Sequence, residues 1–145
     1  MSSLNTAAGE VVGRFYQDFG AGDIDAALSV CADDLEIVDP GMGQVRGRDR
    51  FREYLETFKR AMPDAQANVE RTVESGETVA VEGRFTGTHT GPLTTEDGDV
   101  APTGASVDLR FADVSLVRDG KIVAYHTYYD QLGLLTQLGL MGDSG

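Results

Sequence analysis

The chain has 145 residues, 41% of them hydrophobic, and twelve basic against twenty-four acidic side chains give it a formal charge of −12. That length suits one domain able to bury a core without disulfides or structural metal, and the negative charge repels phosphate backbones and anionic lipid headgroups, so neither nucleic acid nor a membrane surface is expected as a partner. A lone cysteine, Cys31, forms no intramolecular disulfide, no basic leader with an apolar run opens the chain, and no apolar stretch approaches the length that crosses a bilayer, so a single cytoplasmic domain over residues 1–145 is expected.

From Val11 the apolar side chains recur as Val12, Phe15, Tyr16 and Phe19, which predicts a helix ending at the Gly20-Ala21-Gly22 break. Asp23 suits the N-cap of a short second helix whose apolar face is Ile24, Ala27, Leu28 and Cys31, with Cys31 there as packing. The run LEIVDP, residues 35–40, reads as a strand until Pro40 removes an amide donor, and a Gly-rich loop follows to Gly47. Phe51, Tyr54, Leu55, Phe58 and Met62 then keep helical spacing as far as Pro63.

Beyond Pro63 the period changes to two, and strands are expected near residues 65–74, 78–90, 105–117 and 121–130. Gly76 and the Asp119-Gly120 pair accept tight-turn geometry, so both junctions read as antiparallel hairpins. The polar, Gly/Pro-punctuated stretch of residues 92–104 reads as a long loop with a functional role, and LGLLTQLGLM as a short amphipathic closing segment. Helices first and a bent sheet afterwards define an α+β domain: three N-terminal helices packed on a strongly curved mixed or antiparallel sheet, leaving a ligand cavity at one end.

On the last strand, alternation places Ile122, Ala124, His126, Tyr128 and Asp130 on one face, apolar at its start and chemically able at its end. On the neighbouring run Val79, Val81, Phe85 and His89 share a parity, so both histidines are expected to face one pocket, with Arg84 outside it. Asp130 has two readings. Among tyrosines and leucines its carboxyl loses hydration and serves as a general acid or base, or it caps the helix that follows. Asp39, before Pro40, is a turn former with a secondary place in the pocket, while Phe15, Tyr16, Phe19, Phe85 and Tyr128 are expected as pocket wall. His89 and His126 have a structural reading as hydrogen-bonded histidines beside the catalytic one. No histidine spacing supports a metal site, and no nucleophile elbow, phosphate loop or dinucleotide fingerprint occurs, so the chemistry expected is cofactor-free proton transfer.

In order, FYQDFGAGDIDAAL, VDP, GRDRFREYLETF, MPDAQ, GTHTGPL, PTG, VRDGKI and YYDQLGLLTQLGL cover most of the chain, and the sequence resembles the SnoaL-like polyketide cyclase group of the superfamily named after nuclear transport factor 2. The resemblance implies a cone-shaped α+β barrel around a cavity for a small hydrophobic molecule, often a homodimer packed through the sheets. It also implies an aspartate near the end of the last strand as the acid/base of an intramolecular aldol cyclisation, and Asp130 is the position that matches. His89 and His126 would then polarise a substrate carbonyl or hold the base in place. Two other readings stay open on the same fold: a non-catalytic ligand-binding or protein-interaction module, and an epoxide-opening or hydroxylating enzyme.

Overall fold

In the computed structural model, residues 2–95 and 98–140 are described, with side chains from residue 8 onward. The elements run α1 (Ser2–Gly20), α2 (Ile24–Ser29), β1 (Cys31–Asp39), β2 (Gly43–Arg46), α3 (Arg48–Ala61), β3 (Gln66–Ser75), β4 (Thr78–Thr88), β5 (Leu93–Thr95), β6 (Gly98–Val100), β7 (Ser106–Arg118), β8 (Lys121–Tyr129) and α4 (Gln131–Gln137). Asp23 caps α2 by accepting the Ala26 N–H at 3.0 Å. That helix stops before Cys31, because the Val30 carbonyl accepts the Ile122 N–H at 2.7 Å and Cys31 pairs with Ile122, so sheet pairing overrides the helical spacing there. Cys31 is packing all the same. It is fully buried, and burial pushes its thiol up to about 12.

Six strands form a sheet in the order β2-β1-β8-β7-β4-β3, antiparallel except where β1 runs parallel to β8. The expected barrel is corrected here: β2 and β3 are separate edges, and the curved sheet stays open. Closure would require these two strands to pair, but β2 has only four residues and α1 packs along β3. The stretch read as a plain loop contains the short β5–β6 hairpin, with Glu96, Asp97 and, in the closing segment, Met141 outside the described residues. The β7–β8 turn is the expected one, with Asp119 at φ 54° and Gly120 at φ 77°.

Alternation on β7 turns Val107, Leu109 and Phe111 inward and Asp108, Arg110 and Ala112 outward. The inward face meets α1 and α3 in an aromatic core. Phe15 stacks on Phe51 with ring centroids 5.6 Å apart, Phe51 on Tyr54 at 6.0 Å, and Phe58 meets Phe85 edge-on at 5.8 Å. This layer stops short of filling the curve of the sheet at the end where β1 and β8 finish.

Candidate active site

The inward parity of β7 continues from Phe111 to Asp113, which places a carboxyl where the pattern calls for an apolar side chain. Asp113 is 2% exposed. Its Oδ2 accepts the hydroxyl of Tyr16 on α1, and its Oδ1 has no hydrogen-bond partner. Loss of hydration pushes the carboxyl up to about 6, against the hydroxyls of Thr127, Tyr16 and Tyr125, which favour its charged form, while the charge of Asp39 adds to the rise. The phenols of Tyr16 and Tyr125 are driven well above their ordinary value, first by burial and then by the charge of Asp113. Both therefore stay protonated and act as hydrogen-bond donors.

Asp39 closes β1 and is itself 3% exposed. Its Oδ2 accepts the amides of Gly41 at 2.7 Å and Met42 at 3.0 Å, while Oδ1 accepts the Tyr54 hydroxyl at 2.8 Å. Burial first, and then the charge of Asp39, push the Tyr129 phenol upward. Val38 pairs with His126 and Asp113 pairs with Thr127, so the two aspartates flank Thr127 along one row of the sheet. They differ in their surroundings: Asp39 is saturated with donors, whereas Asp113 keeps an oxygen in hand.

Asp113 and the tyrosines around it line a cavity of about 70 Å³. Its wall is aromatic, with Phe15, Phe19, Tyr54, Phe58, Phe85 and Phe111 around Asp113, Tyr125 and Thr127. Small-molecule sites commonly span about 300–1,000 Å³. The cavity is well below that range.

Four of the residues expected as wall, Phe15, Tyr16, Phe19 and Phe85, do line this cavity. Asp39 lies just behind it and forms the turn expected of it, bonded to Tyr54. The rest of the expected set is placed elsewhere. The placement of Asp130 in the pocket is corrected: it is exposed and caps α4, accepting the Gly133 N–H at 2.8 Å. Tyr128 is 51% exposed on the outer face of the sheet. His126 lies on that face too, its Nε2 3.1 Å from Glu36, and this contact is the main reason the Glu36 carboxyl is held below its ordinary value.

The physical reason for these three is one β-bulge. Val117 pairs with Ile122 and Leu116 with Ala124, so Val123 is an extra residue on β8 and reverses the facing of everything after it. Ile122 faces inward, and beyond the bulge the inward set becomes Tyr125, Thr127 and Tyr129. His89 is fully buried, but past the end of β4, outside the cavity wall. Its Nδ1 accepts the Thr103 N–H at 3.2 Å and lies 3.0 Å from the Thr103 hydroxyl, while its buried Nε2 has no hydrogen-bond partner. The two histidines are thus not brought together, and among the described residues no three His, Cys, Asp or Glu side chains group to hold a metal.

Asp113, Tyr54, Tyr125, Thr127 and Tyr129 went unforeseen. For Asp113 a signal was available, since a carboxylate at the apolar parity of an otherwise regular strand is anomalous.

A family model described as SnoaL-like polyketide cyclase matches residues 10–138. No curated protein matches the chain. Among solved structures, a candidate SnoaL-like polyketide cyclase from Jannaschia sp. CCS1 is similar with a TM-score of 0.84 and 22% identity, covering 99% of this chain and 98% of its own. IdmH, a candidate polyketide cyclase from Streptomyces antibioticus, gives 0.76 and 27% over 91% of this chain and 98% of its own. AclR, a candidate hydroxylase from Streptomyces galilaeus, gives 0.80 and 21% over 97% and 90%. No helix among the described residues is long and apolar enough to cross a membrane.

Proposed function

The chain belongs to the SnoaL-like polyketide cyclase family, and we propose that it is a cofactor-independent acid/base enzyme in which Asp113 takes a proton from the carbon next to a carbonyl group. One observation carries this reading: a carboxylate oxygen, Asp113 Oδ1, is buried in an aromatic cavity without a hydrogen-bond partner. A group held at about 6 is mostly charged at neutral pH, roughly nine parts in ten, and is a stronger base than an exposed aspartate. The role expected of Asp130 thereby passes to Asp113.

In the proposed reaction the C–H proton moves to Asp113 Oδ1 and its electron pair delocalises onto the carbonyl oxygen as an enolate. The Tyr125 hydroxyl, beside Asp113 and protonated, is the donor placed to stabilise that oxygen. Tyr16 holds the opposite carboxyl oxygen and fixes the orientation of the base. In a cyclisation the enolate carbon adds to a second carbonyl of the same molecule, and the proton on Asp113 goes to the alkoxide so formed. In an isomerisation it returns to a different carbon. Both are the cofactor-free chemistry that a dry, preorganised cavity favours. Asp39 contributes by anchoring Tyr54, which forms part of the wall.

The test is exchange of the acidic methylene protons of a 1,3-dicarbonyl compound in heavy water, followed by proton NMR with native protein and with Asp113→Asn. The native protein is expected to accelerate exchange and the variant to fall back to the buffer rate. Exchange surviving in the variant would remove Asp113 from the reaction, and binding without exchange by the native protein would favour a ligand-binding module instead.

A further inference from the structure

A second hollow lies against the first. Between α1 and β3 runs an open groove of about 630 Å³, far larger than the cavity of about 70 Å³ that contains Asp113. Tyr16 and Ala67 line both, and they form the partition between them. The groove is open at Gly13 of α1, where an added Cβ would meet no atom within 4 Å, while the side chains of Glu74 and Gln66 lie over Gly9 and Gly20 at its two ends.

The composition of its walls narrows what it takes. A quarter of the chain is charged, yet no lining residue carries a charge. The polar lining consists of Gln17, Gln66, Asn68 and Thr72, with Val12 and Val69 as apolar floor. Gln66 is tied to the Gly20 carbonyl at 2.9 Å and Asn68 to β4, while among the described residues no hydrogen bond holds the side chains of Gln17 and Thr72. Such walls offer amide and hydroxyl partners to a neutral, hydrogen-bonding chain. An anionic chain would lose hydration there and meet the Glu74 carboxylate beside Gly9 instead of a counter-ion.

We propose that the α1–β3 groove is the outer half of one binding site and takes the neutral, hydrogen-bonding tail of an elongated substrate, whose reactive carbonyl end passes the Tyr16–Ala67 partition to Asp113. This rests on the reading of Asp113 as the base and adds to it a substrate class: a dicarbonyl head on an uncharged polar tail. It also accounts for the mismatch in size, since the cavity alone accommodates only the head.

The experiment compares N-methylacetoacetamide, the head without a tail, with N-(6-hydroxyhexyl)acetoacetamide, which has a neutral tail, and with 6-(acetoacetamido)hexanoate, whose tail ends in a carboxylate. Exchange rates in heavy water give kcat/KM, and ligand-observed NMR gives binding independently of turnover. The native protein is expected to favour the neutral tail over both others by about tenfold or more. Gly13→Leu fills the groove from α1 and is expected to collapse that ratio towards one, whatever its effect on absolute rates. Thr72→Arg, introduced from the opposite wall, is expected to transfer the preference to the carboxylate tail.

A native ratio near one, or a ratio that survives both variants, overturns the inference while leaving Asp113 open to its own test. The expected binding ratio without exchange by any compound would remove the base and retain the groove. Sedimentation showing that Gly13→Leu dissolves a dimer would assign the groove to a second copy of the chain and overturn the proposal.

Discussion

Replacing Asp113 by Asn is expected to remove a pH dependence from the stability of the fold as well as the base from the reaction. In the folded protein this carboxyl is raised from 3.8 to about 6, so between those values the folded state binds a proton that the unfolded state has released. Stability therefore falls as pH rises through this window and is level above it. The full rise corresponds to about 3 kcal/mol, and the part lost between about pH 5 and about pH 8 is ~1.4 kcal/mol. Starting near pH 5 keeps the protein clear of its isoelectric point of about 4.4. Urea unfolding of native protein and Asp113→Asn at both pH values gives the double difference, in which the background of other titrating groups cancels. The native protein is expected to lose ~1.4 kcal/mol more than the variant over this interval. Parallel behaviour of the two, within about 0.4 kcal/mol, would show that the carboxyl keeps an ordinary affinity for protons and would refute the burial argument.

Three further outcomes are expected. Tyr16→Phe removes a hydrogen bond that favours the charged form of Asp113, so the acid limb of the exchange profile should move above its position near 6, by about one pH unit, with an unmoved limb arguing against the contact. Asp130→Ala deletes the cap of α4 and should cost about 1 kcal/mol in denaturant unfolding while exchange per folded molecule persists; loss of exchange in fully folded protein would restore Asp130 as the base. A homodimer through the outer face of the sheet would cover Val114 and Tyr128, which are 38% and 51% exposed, so Val114→Glu is expected to shift the sedimenting mass to that of a monomer, and an unchanged dimer would place the interface elsewhere.

The element order was legible because periodicity reports burial directly. Phe15, Tyr16 and Phe19, or Phe51, Leu55 and Phe58, can share a face only in a helix, and Val107, Leu109 and Phe111 only in a strand. What periodicity does not contain is which non-neighbouring strands meet. The parallel β1–β8 pairing that fixes the row of Asp39, Thr127 and Asp113 joins segments some ninety residues apart, and no local pattern announces it. The open sheet is of the same kind, since it depends on which strands remain as edges.

The site was misplaced by one residue. Counting by twos from Ile122 gives His126, Tyr128 and Asp130 the inward face, and it would be right for a regular strand; the bulge at Val123 inverts it, and a bulge of this sort has no side-chain signature here. The different placement of the two aspartates has an energetic basis. At the end of a strand, Asp130 keeps its hydration and gains the Gly133 amide, so the cap is favourable at no cost in desolvation. Turning it inward would forfeit that bond and bury a charge, which is unfavourable unless partners are built around it. Asp113 has no such exit, because the pleat of an uninterrupted stretch of β7 holds it inward between Phe111 and Ser115, and the surrounding hydroxyls of Tyr16, Tyr125 and Thr127 are the compensation. A carboxylate in the middle of an inward-facing strand row is therefore the stronger sign of a reactive group than one at a strand's end, where a helix cap competes for it.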